Sequence, residues 1–265
     1  MSVTMRSAVA RDELKLKQLF LNCFDDTLGF VNMFFEHHFV PENAIVAEKD
    51  GKIIGLTFLL PCSAEGKLCY YIYGVCVDPA ERGMGVGKEL LRFAIDKAKE
   101  RGALVLLKPE NKELFAFYEK VGFSPCSYYR EEVFAPGEKA AEFFDISEEE
   151  YLELRNKGLE GKNAVIWDKE SIEYALSHEI FFGGRVYRYR TENEEGIVLF
   201  IRDGIKTVIK ETTASREALP AIVAAGIKVF GGEDATVLFP SDEGGIPYAC
   251  GIGFKNLVYL NLMLD

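Results

Sequence analysis

The sequence predicts a mixed α/β fold: a central mixed sheet flanked by helices, with a second, smaller unit of the same kind behind it. Three observations predict it. The apolar runs 44–48 and 52–60 are joined by Lys49-Asp50-Gly51, and Asp-Gly between apolar runs marks a β-hairpin. A strand ending at Val77, an amphipathic helix from Val86 to Arg101 and an apolar strand from Ala103 to Leu107 follow, and a strand–helix–strand crossover makes its two strands parallel. From residue 164 the order helix, antiparallel strands, helix, strand, strand repeats in abbreviated form.

Taken in order, 3–7 is a short strand. Residues 12–24 place Leu14, Leu16, Leu19, Phe20 and Cys23 at helical spacing. Asp25-Asp26-Thr27 caps a second helix over 30–39. His37 and His38 end that helix on different faces, so they read as surface or edge residues and not as a metal pair. After the hairpin, 70–88 reads YYIYGVCVDPAERGMGVGK, an apolar strand, a turn, a glycine-rich loop and the start of a helix. Pro79 closes the strand because it has no N–H for the ladder. Leu90, Leu91, Ala94, Ile95 and Ala98 form the apolar stripe of the helix, and Gly102 stops it. The strand 103–107 is apolar throughout and reads as buried on both faces.

The loop carries the chemistry. Alternating Gly83, Gly85 and Gly87 leave backbone N–H groups uncovered, and the following helix points its positive end at them, which makes an anion cradle for a phosphate or pyrophosphate. A Walker loop is excluded, since Gly87-Lys88 is followed by Glu89 and Arg82 stands where the first glycine belongs. A dinucleotide loop is excluded because its last glycine position is Lys88. The pattern present is R-x-x-G-x-G, with Arg82, Gly85 and Gly87. Together with the flanking V-x-V-x-P-x-x-R-G-x-G-V-G from Val75 to Gly87, it resembles the acyl-CoA pyrophosphate loop of the GNAT superfamily of N-acetyltransferases. The resemblance implies the GNAT acyl-CoA N-acyltransferase fold, with acetyl-CoA as co-substrate. It implies that Val75, Cys76 and Val77 pair with pantetheine as an added strand, and that Arg82, Gly83, Met84, Gly85, Val86, Gly87 and Lys88 hold the pyrophosphate. It also implies two parallel strands that splay apart to admit the pantetheine arm.

A second constellation follows in LKPENKELFAFYEKVGF, 107–123. Asn111 opens a helix, and Tyr118 lies two turns later, about 10 Å along the axis. This resembles the GNAT pattern in which an Asn touches pantetheine and a Tyr meets the thiol. Tyrosine suits that role: with an ordinary pKa of about 10 it keeps its proton at working pH and can give it to a departing thiolate. Gly122-Phe123 then turns the chain into a strand over 123–129.

The expected organisation is an acetyltransferase domain over 1–130, a structured connector over 131–163 and a degenerate GNAT-like domain over 164–265. Ser147 opens a helix in the connector with a capping box. The second domain is read as a helix capped by Asp168, strands over 185–191, 196–202 and 205–212, a helix over 215–230, and strands over 235–240 and 257–264. Where the first domain has its glycine loop, the second has Glu211-Thr212-Thr213-Ala214-Ser215-Arg216, with no glycine, so no CoA site is expected there. The ending YLNLMLD resembles the last strand of the enhanced-intracellular-survival acetyltransferases, which implies that the Asp265 α-carboxylate approaches the acceptor amine.

Composition sets the remaining bounds. The 265 residues carry a net charge of −11, which argues against nucleic acid as a partner. No apolar run is long enough to span a bilayer, and the first residues lack the apolar core of a secretory signal, so a cytoplasmic location is expected. None of the six cysteines forms a C-x-x-C pair, and no metal is expected. Cys62, Cys69 and Cys76 read as small core residues. The function expected is transfer of an acetyl group from acetyl-CoA to a primary amine by direct attack, with a small amine as acceptor. The acidic balance favours a cationic one, and homo-oligomerisation is compatible with the sequence. The alternative is a non-catalytic acyl-CoA sensor or scaffold.

Overall fold

The computed structural model describes residues 3–24 and 26–260. The chain forms two compact units that interleave along the sequence. The first comprises 1–126, 165–170 and 249–256; the second comprises 127–164, 171–248 and 257–265.

The first unit begins with strand β1 (Thr4–Ser7) and helices α1 (Glu13–Cys23) and α2 (Leu28–His38). Thr27 caps α2, its hydroxyl accepting the Phe30 N–H at 3.3 Å. Strands β2 (Ala44–Lys49), β3 (Lys52–Ala64) and β4 (Lys67–Val77) form an antiparallel meander. Asp50 and Gly51 both have positive φ in the first turn, as a primed hairpin turn requires. Helix α3 (Val86–Glu100) crosses over to β5 (Leu104–Leu107), which pairs parallel to β4. Helix α4 (Lys112–Glu119) follows, and β6 (Ser124–Phe134) carries the chain into the second unit.

Two layers cover this sheet. Neighbouring strand residues point to opposite faces, and Leu59 belongs to the cluster of α3 while Phe58 packs on Phe34 and Phe35 of α2. Every residue of the predicted α3 stripe is buried, each contributing about 1.5–3 kcal/mol for the larger side chains. All four residues of β5 are buried, as expected of a strand covered on both faces.

The second unit contains β7 (Glu142–Phe144), α5 (Glu148–Gly158), α6 (Lys169–Phe181), β9 (Arg185–Arg190), β10 (Glu195–Asp203), β11 (Lys206–Thr212), α7 (Leu219–Phe230) and β12 (Ala235–Ser241). Strands β9, β10 and β11 are an antiparallel meander, and β12 pairs parallel to β11 after the α7 crossover. This repeats the order of β2–β3–β4–α3–β5. Ser147 caps α5, accepting the Glu150 N–H at 3.2 Å.

Several expectations change. Two short strands return to the first unit: β8 (Ile166–Trp167) pairs with the end of β3, and residues Cys250–Ile252 of β13 (Ile246–Ile252) pair antiparallel with β5. The stretch GGIPYACGI lies between the last two expected strands, in neither of them; pairing of Cys250–Ile252 with β5 helps make it a strand. The expected strand over 257–264 is a single bridge at Tyr259 within the described residues, and its remainder, Asp265 included, lies outside them. Helix α7 starts at Leu219 and not at Ser215, with Pro220 in its first turn. His38 is 6% exposed and packs tilted against Phe34, so it is a core residue. Among the described residues no helix is long and apolar enough to cross a membrane.

Candidate active site

The site is built on β4. Opposite Thr57 of β3, the pairing jumps from Phe58↔Tyr73 to Leu56↔Cys76, so Gly74 and Val75 form a β-bulge. Gly74 has φ +63°, and a Cβ there would lie 2.8 Å from Phe20 Cε2. Glycine is therefore required twice, by the backbone and by the ring against it. The Thr57 hydroxyl donates to Tyr73 O at 3.0 Å and holds the strand just before the bulge.

Beside the bulge the sheet opens. The parallel pairing of β4 with β5 runs from Cys69↔Leu104 to Tyr71↔Leu106 and stops. Among the described residues, Ile72–Val77 have no strand partner on that edge. Asp78 N donates to Ile54 O at 2.8 Å. The alternation of an antiparallel ladder then turns the Val77 carbonyl to the open edge. Two donors meet it there: Cys23 Sγ at 3.4 Å and Arg82 Nε at 3.1 Å.

The glycine loop continues from this edge. Asp78 caps the turn Pro79–Glu81 by accepting the Ala80 N–H at 2.9 Å, and Glu81 is tied to Lys49 at 2.7 Å. Gly83 and Gly85 both have φ +82°, and a Cβ at either would meet nothing within 4 Å. The loop is thus left-handed at two positions and open in front, with Gly85 as the N-cap of α3. Arg82 and Met84 are exposed. Val86 is a core residue that packs into the α3 cluster, so only its backbone faces the loop. Gly87 has room for a Cβ, whose nearest neighbour would be Val77 Cγ2 at 3.6 Å. The positive end of α3 and the charges of Arg82 and Lys88 make the loop attractive to an anion.

Tyr118 lies on α4, 8% exposed, in one apolar cluster with Ile72 of β4 and Val105 and Leu107 of β5. Its ring packs on Phe123 and Phe117, with centroids 5.8 Å and 5.3 Å away. Burial first, then Cys250 and Glu110 nearby, raises its hydroxyl above the ordinary tyrosine value, so it holds its proton. Asn111 is elsewhere: exposed, it is the N-cap of α4, its Oδ1 accepting the Leu114 N–H at 3.1 Å. Its Nδ2 hydrogens remain as donors. The structure therefore gathers Val75, Cys76, Val77 and the loop along one edge, places Tyr118 in the core beneath it, and leaves Asn111 outside that core.

Three residues of this site escaped the sequence reading. Gly74 had a signal, a glycine inside a strand. Cys23 and Cys250 had none, because each arrives through tertiary pairing of a distant element. Among the described residues no group of three or more His, Cys, Asp or Glu is arranged to hold a metal.

The loop between β11 and α7 is chemically different. Thr213 Oγ1 accepts the Ile197 N–H at 3.0 Å, and Ser215 N donates to the carboxylate of Glu194 at 3.0 Å. Tyr189 also donates to that carboxylate, at 2.8 Å. These bonds hold Glu194 below the ordinary carboxylate range against the opposing effect of burial. A side chain of the protein supplies the anion at this loop.

Comparison with known proteins places these features. Residues 14–123 match the acetyltransferase (GNAT) family. The N-alpha-acetyltransferase RimI of Mycobacterium tuberculosis is 33% identical over 97 residues, which is 34% of this chain and 60% of that protein, so the match spans less than two thirds of the relative's length. Among solved structures, a GCN5-related N-acetyltransferase from Anabaena variabilis superposes with a TM-score of 0.71 at 15% identity, covering 94% of this chain and 72% of the other. A probable N-acyltransferase from Enterococcus faecalis superposes at 0.73 and 13% identity, covering 95% and 72%. At these identities the superpositions establish a shared fold.

Proposed function

We propose that the first unit, whose residues 14–123 match the acetyltransferase (GNAT) family, transfers an acetyl group from acetyl-CoA to a primary amine. The observation that carries the reading is the open edge of β4. Pairing with β5 stops at Tyr71↔Leu106, next to a glycine loop in which a Cβ at Gly83 or Gly85 would meet nothing within 4 Å among the described residues.

Arg82, Gly83, Met84, Gly85 and the backbone of Val86–Lys88 would hold the pyrophosphate, through amides and the two cations. Val75–Val77 would hold the pantetheine arm. Arg82 anchors through Nε to Val77 O, which leaves its two Nη groups to meet phosphate. Acetyl-CoA supplies an activated acyl carbon and a thiolate leaving group. The N–H groups released by the bulge at Gly74–Val75 are placed to polarise a carbonyl at the edge. Tyr118 protonates the leaving thiolate. Its raised pKa does not disqualify it, because the surroundings that disfavour a tyrosinate disfavour a thiolate as well.

The second unit is, in this reading, a degenerate GNAT-like copy that binds no CoA, its anion position being satisfied by Glu194. The acceptor is a small amine, and the net charge of −11 draws cationic ones. The test is thiol release from acetyl-CoA against a panel of amines. Turnover with at least one primary amine, reduced in Tyr118→Phe, supports the reading. Binding of acetyl-CoA without turnover of any amine would make the protein an acyl-CoA sensor.

A further inference from the structure

The open edge of β4 carries two sulfurs as well as a carbonyl. Cys23 closes α1 and is half-buried; Cys76 is buried, next in sequence to Val77. The Cys23 sulfur reaches Val77 O at 3.4 Å, which sets it against the backbone of the residue that follows Cys76. Arg82, whose Nε holds the same carbonyl, brings its charge beside Cys23. The carboxylate of Asp78 opposes ionisation at Cys23. Cys76 first, then Arg82, brings the Cys23 thiol down to about 7 despite burial, while Cys76 is pushed well up. One sulfur is thus accessible and ready to ionise, and the other is buried, neutral and adjacent. That is the arrangement of an attacking and a resolving cysteine.

We propose that Cys23 and Cys76 form a peroxide-sensitive dithiol set into the edge on which acyl-CoA would lie, with Cys23 attacking and Cys76 resolving. The Cys23 thiolate attacks one peroxide oxygen and breaks the O–O bond; it becomes a sulfenic acid, and the other oxygen leaves as hydroxide, which takes up the proton that Cys23 released and becomes water. The Cys76 sulfur then attacks the sulfenic sulfur, the disulfide forms, and the sulfenic oxygen leaves with the Cys76 proton as a second water. Two thiols and one hydrogen peroxide become one disulfide and two waters. Cys62 and Cys69 provide an internal contrast. They face each other across β3 and β4, but both are buried, and burial disfavours ionisation of Cys62.

The test is peptide mapping of the full, reduced chain after hydrogen peroxide treatment. The expected product loses two hydrogens and links the peptides of Cys23 and Cys76. In Cys76→Ser and Cys76→Ala, dimedone captures a sulfenic acid at Cys23; in Cys23→Ser, Cys76 remains a thiol. Oxidation at Cys62–Cys69 in preference to this pair, or a Cys23 that dimedone never labels in the Cys76 variants, would overturn the proposal. A second arm rests on the acetyltransferase reading above. Acetyl-CoA at ten times its dissociation constant should slow the oxidation about tenfold by covering the edge. Disulfide formation at an unchanged rate under saturating acetyl-CoA would remove the edge from the cofactor site and leave the dithiol standing.

Discussion

Replacing Gly74 by alanine tests the geometry on which the site depends. Two costs are separable. The residue sits at φ +63°, where an L side chain is strained by about 1 kcal/mol relative to glycine. The new methyl would also lie 2.8 Å from Phe20 Cε2. Phe20 has little freedom to withdraw, since its ring is packed against Phe24, Phe34, Phe35 and Tyr73 at centroid distances of 4.6 to 6.3 Å. Overpacking of this kind costs about 1–3 kcal/mol, so the total is about 2–4 kcal/mol. Gly66 is the matched control. Its φ is +68° and a Cβ there meets nothing within 4 Å, so Gly66→Ala should cost only the backbone part, about 1 kcal/mol. Urea unfolding of both variants, read as a change in midpoint at constant slope, measures the difference. Gly74→Ala should also weaken acetyl-CoA binding, because the strand moves where the bulge faces the open edge. Equal destabilisation of the two variants would show that Phe20 does not press on Gly74, and the argument for the bulge would fail.

Three further predictions follow from individual side chains. Tyr118→Phe keeps the ring in its cluster and removes the proton; acetyl-CoA binding should be unchanged while kcat falls about 100-fold, and an undiminished kcat would take Tyr118 out of the reaction. His38 is held neutral by burial, its pKa lowered from 6.5 to about 3. The unfolded chain therefore takes up the proton first, and this contribution to stability is whole above pH 6.5 and lost progressively toward pH 3. At pH 5, one and a half units below the ordinary value, the loss is about 2 kcal/mol. His38→Leu should flatten the stability profile between pH 7 and pH 5 by that amount, and parallel profiles would refute the burial argument. In the second unit, Glu211 accepts from Arg155 Nε and Tyr151 OH, both at 2.9 Å, with all three residues buried. Glu211→Gln strips the buried guanidinium of that counter-charge and should cost about 3–5 kcal/mol in urea unfolding; a cost below 1 kcal/mol would mean the pair is not buried as described.

The parts of the fold that could be read in the sequence are those set by local chemistry. Alternation and Asp50-Gly51 gave the β2–β3 hairpin, a 3.6-residue stripe gave α3, and Thr27 and Ser147 gave two helix starts. The loop from Arg82 to Lys88 was legible because its left-handed turns at Gly83 and Gly85 call for glycine. What stayed hidden depends on long-range pairing. Strand β13 has a proline and glycines, and its end, Cys250–Ile252, is held as a strand by pairing with the distant β5. It delivers Cys250 to the surroundings of Tyr118 from more than a hundred residues away. The interleaving of the two units follows from the same return of the chain. His38 was misjudged because a polar residue at a helix end is usually exposed, whereas this end lies against the rings of Phe34 and its neighbours. Asn111 was correctly placed at the start of α4, yet its carboxamide caps the helix and does not share the buried surroundings of Tyr118.

The central claim is that the first unit has one acyl-CoA site and the second has none. Calorimetric titration of the intact chain with acetyl-CoA tests it most directly, with Gly85→Glu as the partner experiment. The account predicts one site per chain, lost in the variant because a carboxylate would occupy the cradle and repel the pyrophosphate. Two sites per chain would contradict the reading of Glu194 as a built-in anion, and no binding at all would reduce the glycine loop to a turn between a strand and a helix.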